Sequence, residues 1–185
     1  MTRVTCACQV ALIRGINVGR AKRVAMADLR TLVEGLGYGN VRTLLNSGNV
    51  VFNAPRATAS AAAARIEKAL ANKLGISARV TGLGAAELAA VVADNPLLDV
   101  ADDPSRLLVA FLSNVADRSK LESLAKQAWG KEALALGARV AYLWCPEGIL
   151  ASKMADAVNR ALGDTVTARN WATVLKLHAM VEDRQ

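Results

Sequence analysis

The chain has 185 residues, with 23 Lys plus Arg against 16 Asp plus Glu, a formal charge of +7 and one histidine. That length fits one domain or two small ones and buries roughly 70% of its unfolded surface, so a core needs neither disulfide nor metal. No apolar run reaches the ~18 residues of a membrane span, and an apolar content of 53% with 4% aromatics describes a packed protein of small and aliphatic side chains.

The first half parses as β-α-β-β-α-β. A strand at 4–13 is apolar up to Arg14 and lacks a small-residue cleavage site, so it reads as a strand and not a leader; a cytoplasmic protein without membrane partners is the expectation. A helix at 26–36 places Met26, Leu29, Val33 and Leu36 inward and stops at Gly37. Strands at 41–45 and 49–53 flank Ser47-Gly48, a hairpin signal. A helix at 60–74 with Ile66, Leu70 and Leu74 spaced by four stops at Gly75, and a strand at 76–81 closes the set.

The second half repeats the order. A strand at 106–112, a helix at 117–128, strands at 131–136 and 139–144 around Gly137-Ala138, a helix at 151–162 and a strand at 164–168 follow one another. A proline follows the third strand of each half, Pro55 and Pro146. The last helix begins at Asn170; Trp171, Val174, Leu175 and His178 form its apolar stripe, and Arg169, Thr173 and Lys176 a row of donors on the other side. The fold class is α+β: two tandem ferredoxin-like units at 1–82 and 106–185, the second carrying the C-terminal helix, joined by a linker at 83–105 with a short helix at 85–94.

Three motif groups resemble a known family. They are Ala11-Leu12-Ile13-Arg14-Gly15-Ile16-Asn17-Val18-Gly19; Gly39-Asn40-Val41-Arg42-Thr43 with Asn46-Ser47-Gly48-Asn49-Val50-Val51-Phe52; and, later, Asn95-Pro96, Pro146-Glu147-Gly148 with Ser152-Lys153, and Thr167 to Leu177. Together they resemble the family called domain of unknown function 1697 over nearly the whole chain. The resemblance implies a pair of related α+β units and supplies no catalytic residues. Ala25 and Asn46 depart from the proline and glutamine common at those places in the family.

The residues themselves point to anions more than to catalysis. The stretch from Arg14 to Gly19 follows a strand, yet it has neither the glycine spacing of a dinucleotide loop nor the Gly-Lys-Ser/Thr of a P-loop. What remains is a glycine-bearing loop with Arg14, Arg20, Lys22 and Arg23 close together, as compatible with an anion site as with a structural crossover. Ser47 as a nucleophile would need a base, and His178, the single histidine, sits on an apolar stripe; asparagines bracing a turn explain the motif better. Lys153 stands in the first turn of a helix, against the dipole, where an anion contact or a salt bridge accounts for it. Cys6, Cys8 and Cys145 read as reduced thiols, and no metal or other cofactor is expected. RNA readers of this topology stack bases on sheet aromatics; Phe52, Tyr142 and Trp144 fit core packing as well.

The split βαβ topology is expected to put Arg14 and Arg42 at one sheet edge and Ser47-Gly48 at the opposite one, with Lys153 and Arg169 likewise apart. The expected function is binding of a small phosphate- or carboxylate-bearing ligand at or near the interface of the two units. Arg14, Lys22, Arg42, Lys153, Arg169 and Lys176 are the candidate charge contacts; Asn17, Asn49, Asn170 and Thr173 are the candidate hydrogen-bond partners. The alternatives are a metal-independent transferase or hydrolase on such a substrate, non-specific nucleic-acid binding favoured by the positive charge, and a structural or assembly role.

Overall fold

In the computed structural model, which describes residues 8–183, the chain is a mixed α+β protein with two four-stranded antiparallel sheets. It divides into two compact units, one of residues up to Ala89 together with those from Leu177 on, the other Ala90–Lys176. The part of the first expected strand before residue 8, with Cys6, lies outside the described residues.

The first unit contains β1 (Cys8–Ile13), α1 (Met26–Glu34), β2 (Gly39–Leu44), β3 (Asn49–Asn53), α2 (Ala59–Leu74) and β4 (Val80–Gly84), with sheet order β2-β3-β1-β4. Ala11, Ile13, Val50 and Phe52 face the helices and pack on Leu29, Leu32 and Val33 of α1 and on Ala62, Ile66 and Leu70 of α2. Each large aliphatic side chain taken fully out of water here contributes about 1.5–3 kcal/mol. The opposite face, with Val10, Leu12, Val51 and Leu83, is buried as well, which explains why β1 reads from Val10 to Ile13 as a continuous apolar run and not as an alternation. Thr58 caps α2 by accepting from the Ala61 amide at 3.2 Å, and Gly75 ends it in a left-handed turn with φ 66°.

The expected strand at 76–81 starts late, at Val80, and runs on to Gly84. Ile13 pairs with Val80 and Gln9 with Gly84, so β4 can begin only where β1 ends. Residues before Val80 have no ladder to join, apart from the Arg79 carbonyl accepting from the Arg14 amide at 2.9 Å.

The second unit contains β5 (Leu107–Leu112), a 3-10 helix at Val115–Leu121, α4 (Glu122–Ala125), β6 (Ala133–Leu136), β7 (Val140–Trp144), α5 (Lys153–Leu162) and β8 (Val166–Asn170), in sheet order β6-β7-β5-β8. Leu108, Ala110, Leu112 and Leu143 pack on Met154, Val158 and Leu162 of α5. Where a helix at 117–128 is expected, the chain forms the 3-10 helix and a single α-turn. Local polar bonds favour the tighter winding: Asn114 Oδ1 accepts from the Ala116 amide, Ser119 Oγ donates to the Ala116 carbonyl, and Lys120 pairs with buried Asp117 at 2.6 Å, i to i+3.

Two helices carry residues of both units, α3 (Ala85–Ala93) and α6 (Trp171–Glu182). On α6 the buried row is Trp171, Val174, Leu177 and Val181, while Leu175, expected inward, is 40% exposed and Thr173, expected outward, is buried. The apolar arc is therefore rotated from the expected one, and Leu177 in place of Leu175 is its centre.

Gly82 sits where β4 meets the start of α2, and a Cβ there would fall on the Ala59 carbonyl oxygen. Backbone cannot yield as a side-chain tip does. Gly82→Ala is expected to cost about 3 kcal/mol, read as a lower urea midpoint at unchanged m-value.

Candidate functional site

The strand registers overturn the expected distribution of motifs. Leu12 and Leu44 both pair with Asn49, Ile13 pairs with Val80, and the Ile13 amide donates to the Gly48 carbonyl at 2.8 Å. The loop after β1 and the hairpin turn after β2 thus share one end of the sheet. The physical reason is the crossover: α1 returns the chain to the start of the sheet, β2 runs parallel to β1, and both finish together. In the second unit, Leu107 pairs with Trp144 and Leu108 with Asn170, so the 146–153 connection and Arg169 also share an end, contrary to expectation.

At the first of these ends the chain builds an ordered basic loop. Gly15, Asn17, Gly19 and Lys22 all have left-handed backbones, with φ of 66°, 57°, 62° and 50°. Asn17 holds the loop closed: its Oδ1 accepts from the Val24 amide at 2.9 Å, its Nδ2 donates to the Val24 carbonyl at 2.9 Å, and the same Nδ2 reaches the Asn46 carbonyl at 2.8 Å. Asparagine tolerates this conformation better than most residues because its short amide bonds locally. Beside it Ile16 is 1% exposed and packs over Gly48, where a Cβ would lie 2.8 Å from Ile16 Cδ1. Gly48 has φ 77°, so both its backbone and its lack of a side chain are required. With the base fixed in this way, Arg20, Lys22 and Arg23 project as an exposed tip, and Arg14 is half-buried beneath it.

The other candidates of this unit have structural partners. Asn49 is fully buried, and its Nδ2 donates to the Leu44 carbonyl and to Ser47 Oγ, both at 2.9 Å, bracing the hairpin turn. From the edge strand β2, Arg42 Nη2 donates to the Met180 carbonyl in the last turns of α6 at 2.6 Å. A cation on the carbonyl end of a helix is favourably placed.

In the second unit Asn170 Oδ1 accepts from the Thr173 amide at 2.9 Å, so it caps α6. Arg169 lies opposite Val109 on β8, and burial pushes its guanidinium down from the usual 12.5 to about 10. With Thr173 buried and Lys176 exposed, Arg169, Thr173 and Lys176 do not make a solvent-facing row. Lys153 is exposed at the start of α5, whose cap is Ser152 Oγ accepting from the Ala155 amide at 2.9 Å. Burial pushes the Cys145 thiol up, against a hydrogen bond with Ser152 that acts the other way. Sequence reasoning missed the basic face of α2, where Arg65, Lys68, Asn72 and Lys73 recur at i, i+3, i+7 and i+8 and could have been read as a helical stripe.

The loop and the turn tied together by Asn17 carry the chain's most distinctive strings, and residues 7–142 match the family described as "Protein of unknown function (DUF1697)". The chain belongs to this family. A solved structure titled as a conserved bacterial protein from Streptococcus pneumoniae shares its fold, with a TM-score of 0.73 and 21% identity over 95% of this chain and 98% of that one. No curated protein matches. Membership covers both halves of the loop–turn pair and the strands that hold it, so the family's own strings are the ones that meet at this sheet end.

Two outcomes are expected from this geometry. Asn17→Ala removes three hydrogen bonds and should cost about 3 kcal/mol, and it should open trypsin cleavage at Arg20, Lys22 or Arg23 under conditions that leave the parent uncut. Tyr142, whose Oη donates to the Val91 carbonyl at 2.8 Å, is pushed up to about 12 by burial and then by Asp94. Its folded value lies above the unfolded ~10, so the stability it contributes is complete below pH 10 and lost as pH rises toward 12. Tyr142→Phe should flatten that alkaline loss in a pH series of urea midpoints.

Proposed function

We propose that the protein binds a small anionic ligand, phosphate- or carboxylate-bearing, at the basic loop between β1 and α1. The carrying observation is that this loop is both cationic and fixed. Arg14, Arg20, Lys22 and Arg23 fall within one stretch that contains no acidic residue, and Asn17 and Ile16 anchor it. An anion received there meets cations carried on a backbone already anchored at its base, which lowers the part of the entropic cost that comes from ordering the loop. The recurring left-handed residues add the backbone turns from which anion-binding concavities are built. Each charge-assisted hydrogen bond formed contributes about 1.5–3 kcal/mol. We read each half as a ferredoxin-like split βαβ unit, supported by the matching sheet orders, and the protein as cytoplasmic.

The groups with shifted ionisation in the other unit have local causes. Lys120, then Thr165, hold the Asp117 carboxyl below its usual range, and burial accounts first for Tyr142, Cys145 and Arg169. These are structural roles, and they favour a binding reading over a catalytic one.

Calorimetric titration with inorganic phosphate, pyrophosphate and simple di- and tricarboxylates tests the proposal. At least one should bind, more weakly in high salt because the cations are exposed. The double variant Lys22→Ala/Arg23→Ala should lose tenfold or more in affinity, about 1.4 kcal/mol, without losing stability. Equal binding by parent and variant would sink it.

A further inference from the structure

The helix layer of the first unit carries a second cationic feature, lined by other residues than the basic loop. Leu36, Arg65, Lys68, Ala69, Asn72 and Lys73 line an open groove of about 320 Å³ beside α2. Its floor is apolar, from Leu36 and Ala69, and its rim is cationic. Arg65 is fixed rather than free to swing: its Nη2 donates to the Leu36 carbonyl at 3.1 Å, and its guanidinium stacks 5.3 Å from the Tyr38 ring centroid. Among the described residues, none of Arg65, Lys68 and Lys73 is in an ion pair. That contrasts with Arg79 on the same unit, which pairs with Glu67 at 3.5 Å.

We infer that this groove holds the phosphodiester backbone of a nucleic acid, without reading its bases. Three observations select that partner. The groove is open to solvent rather than enclosed, which suits a backbone laid on it better than a small molecule sealed inside. Its cationic and amide side chains recur along one helix face, Arg65, Lys68 and Asn72 rising by about 4.5 and 6 Å at 1.5 Å per residue, a ladder on which successive phosphates can sit. The lining contains no aromatic side chain to stack a base, and the nearby Tyr38 ring is buried under Arg65 and stacked on Phe52 at 5.1 Å. Contacts to phosphate alone position a strand and carry no sequence information.

The test is fluorescence anisotropy with a labelled oligothymidylate of ~12 nucleotides, within the range of single-strand site sizes, on the full chain at several salt concentrations. Three phosphate-contacting cations give an expected slope of log K against log salt of about −2, and Lys68→Glu/Lys73→Glu should bring it to about −0.7 and weaken binding more than tenfold at low salt. Lys126→Glu/Lys131→Glu, exposed lysines of the other unit, makes the same change in net charge and should leave the slope in place. Thermal melting confirms that both variants fold, and Lys68→Gln/Lys73→Gln serves if the reversal does not. Equal losses in the two reversals would overturn the inference. So would binding that is lost with Lys22→Ala/Arg23→Ala and kept without Lys68 and Lys73. Displacement of the oligonucleotide by polyglutamate at equal charge concentration would replace it with an acidic protein partner.

Discussion

The point at which β1 stops governs the first unit. At Ile13 the strand has one neighbour on each side, Val80 of β4 and the turn after β2, whose Gly48 carbonyl receives the Ile13 amide. Beyond it Gly15 turns left-handed and the chain leaves the sheet. Everything at that end follows from the stop. β4 can start no earlier, the hairpin turn is drawn up beside the departing loop, and Ile16 fills the space that Gly48 leaves open. A central strand buried on both faces has no freedom to slide, since a shift of one residue would send its whole inward set to the other face.

Side-chain amides then complete what the ladders leave unpaired. Asn17 closes the basic loop, Asn49 the hairpin turn, Asn114 the start of the 3-10 helix and Asn170 the start of α6. Each has a donor pair and an acceptor on a short stem, which lets it stand in for a missing backbone partner. The asparagines that looked like candidate ligand contacts are largely engaged in this way. The cations are different: Lys22, Lys68, Lys73, Lys153 and Lys176 remain exposed, and the proposed recognition of anions rests on such side chains rather than on the asparagines.

What was legible in the sequence depended on the range of the interaction. The apolar run into Ile13, the helix stop at Gly75, the strand from Asn49 to Asn53 and the cap at Asn170 are local signals, and each sits where those signals put it, whereas the first helix ends at Glu34 on Gly35, short of the expected stop at Gly37. The start of β4 was not legible, because it is set by the end of a strand far away in sequence. Leu175 and Leu177 are chemically alike, and only the surface beneath α6 decides which turns inward. The helix at 117–128 had an apolar spacing but lost to the bonds of Asn114, Ser119 and Asp117. Of the candidate site, the basic loop was visible as composition, while its union with the Asn46–Asn49 turn needed the direction of β2.

The hydrogen bond from Arg42 to the Met180 carbonyl joins residues 138 positions apart within a single unit. A ribosome delivers β2 long before it delivers Met180. The second unit is a continuous stretch of chain and can condense as soon as it is made, whereas the first has to wait, its sheet formed but the last turns of α6 still missing from the Arg42 side. The unit that begins the chain is therefore the last to be finished, since Leu177 and Val181, buried in the finished fold, belong to it and come at the end. Order of synthesis and order of completion run in opposite directions in this protein.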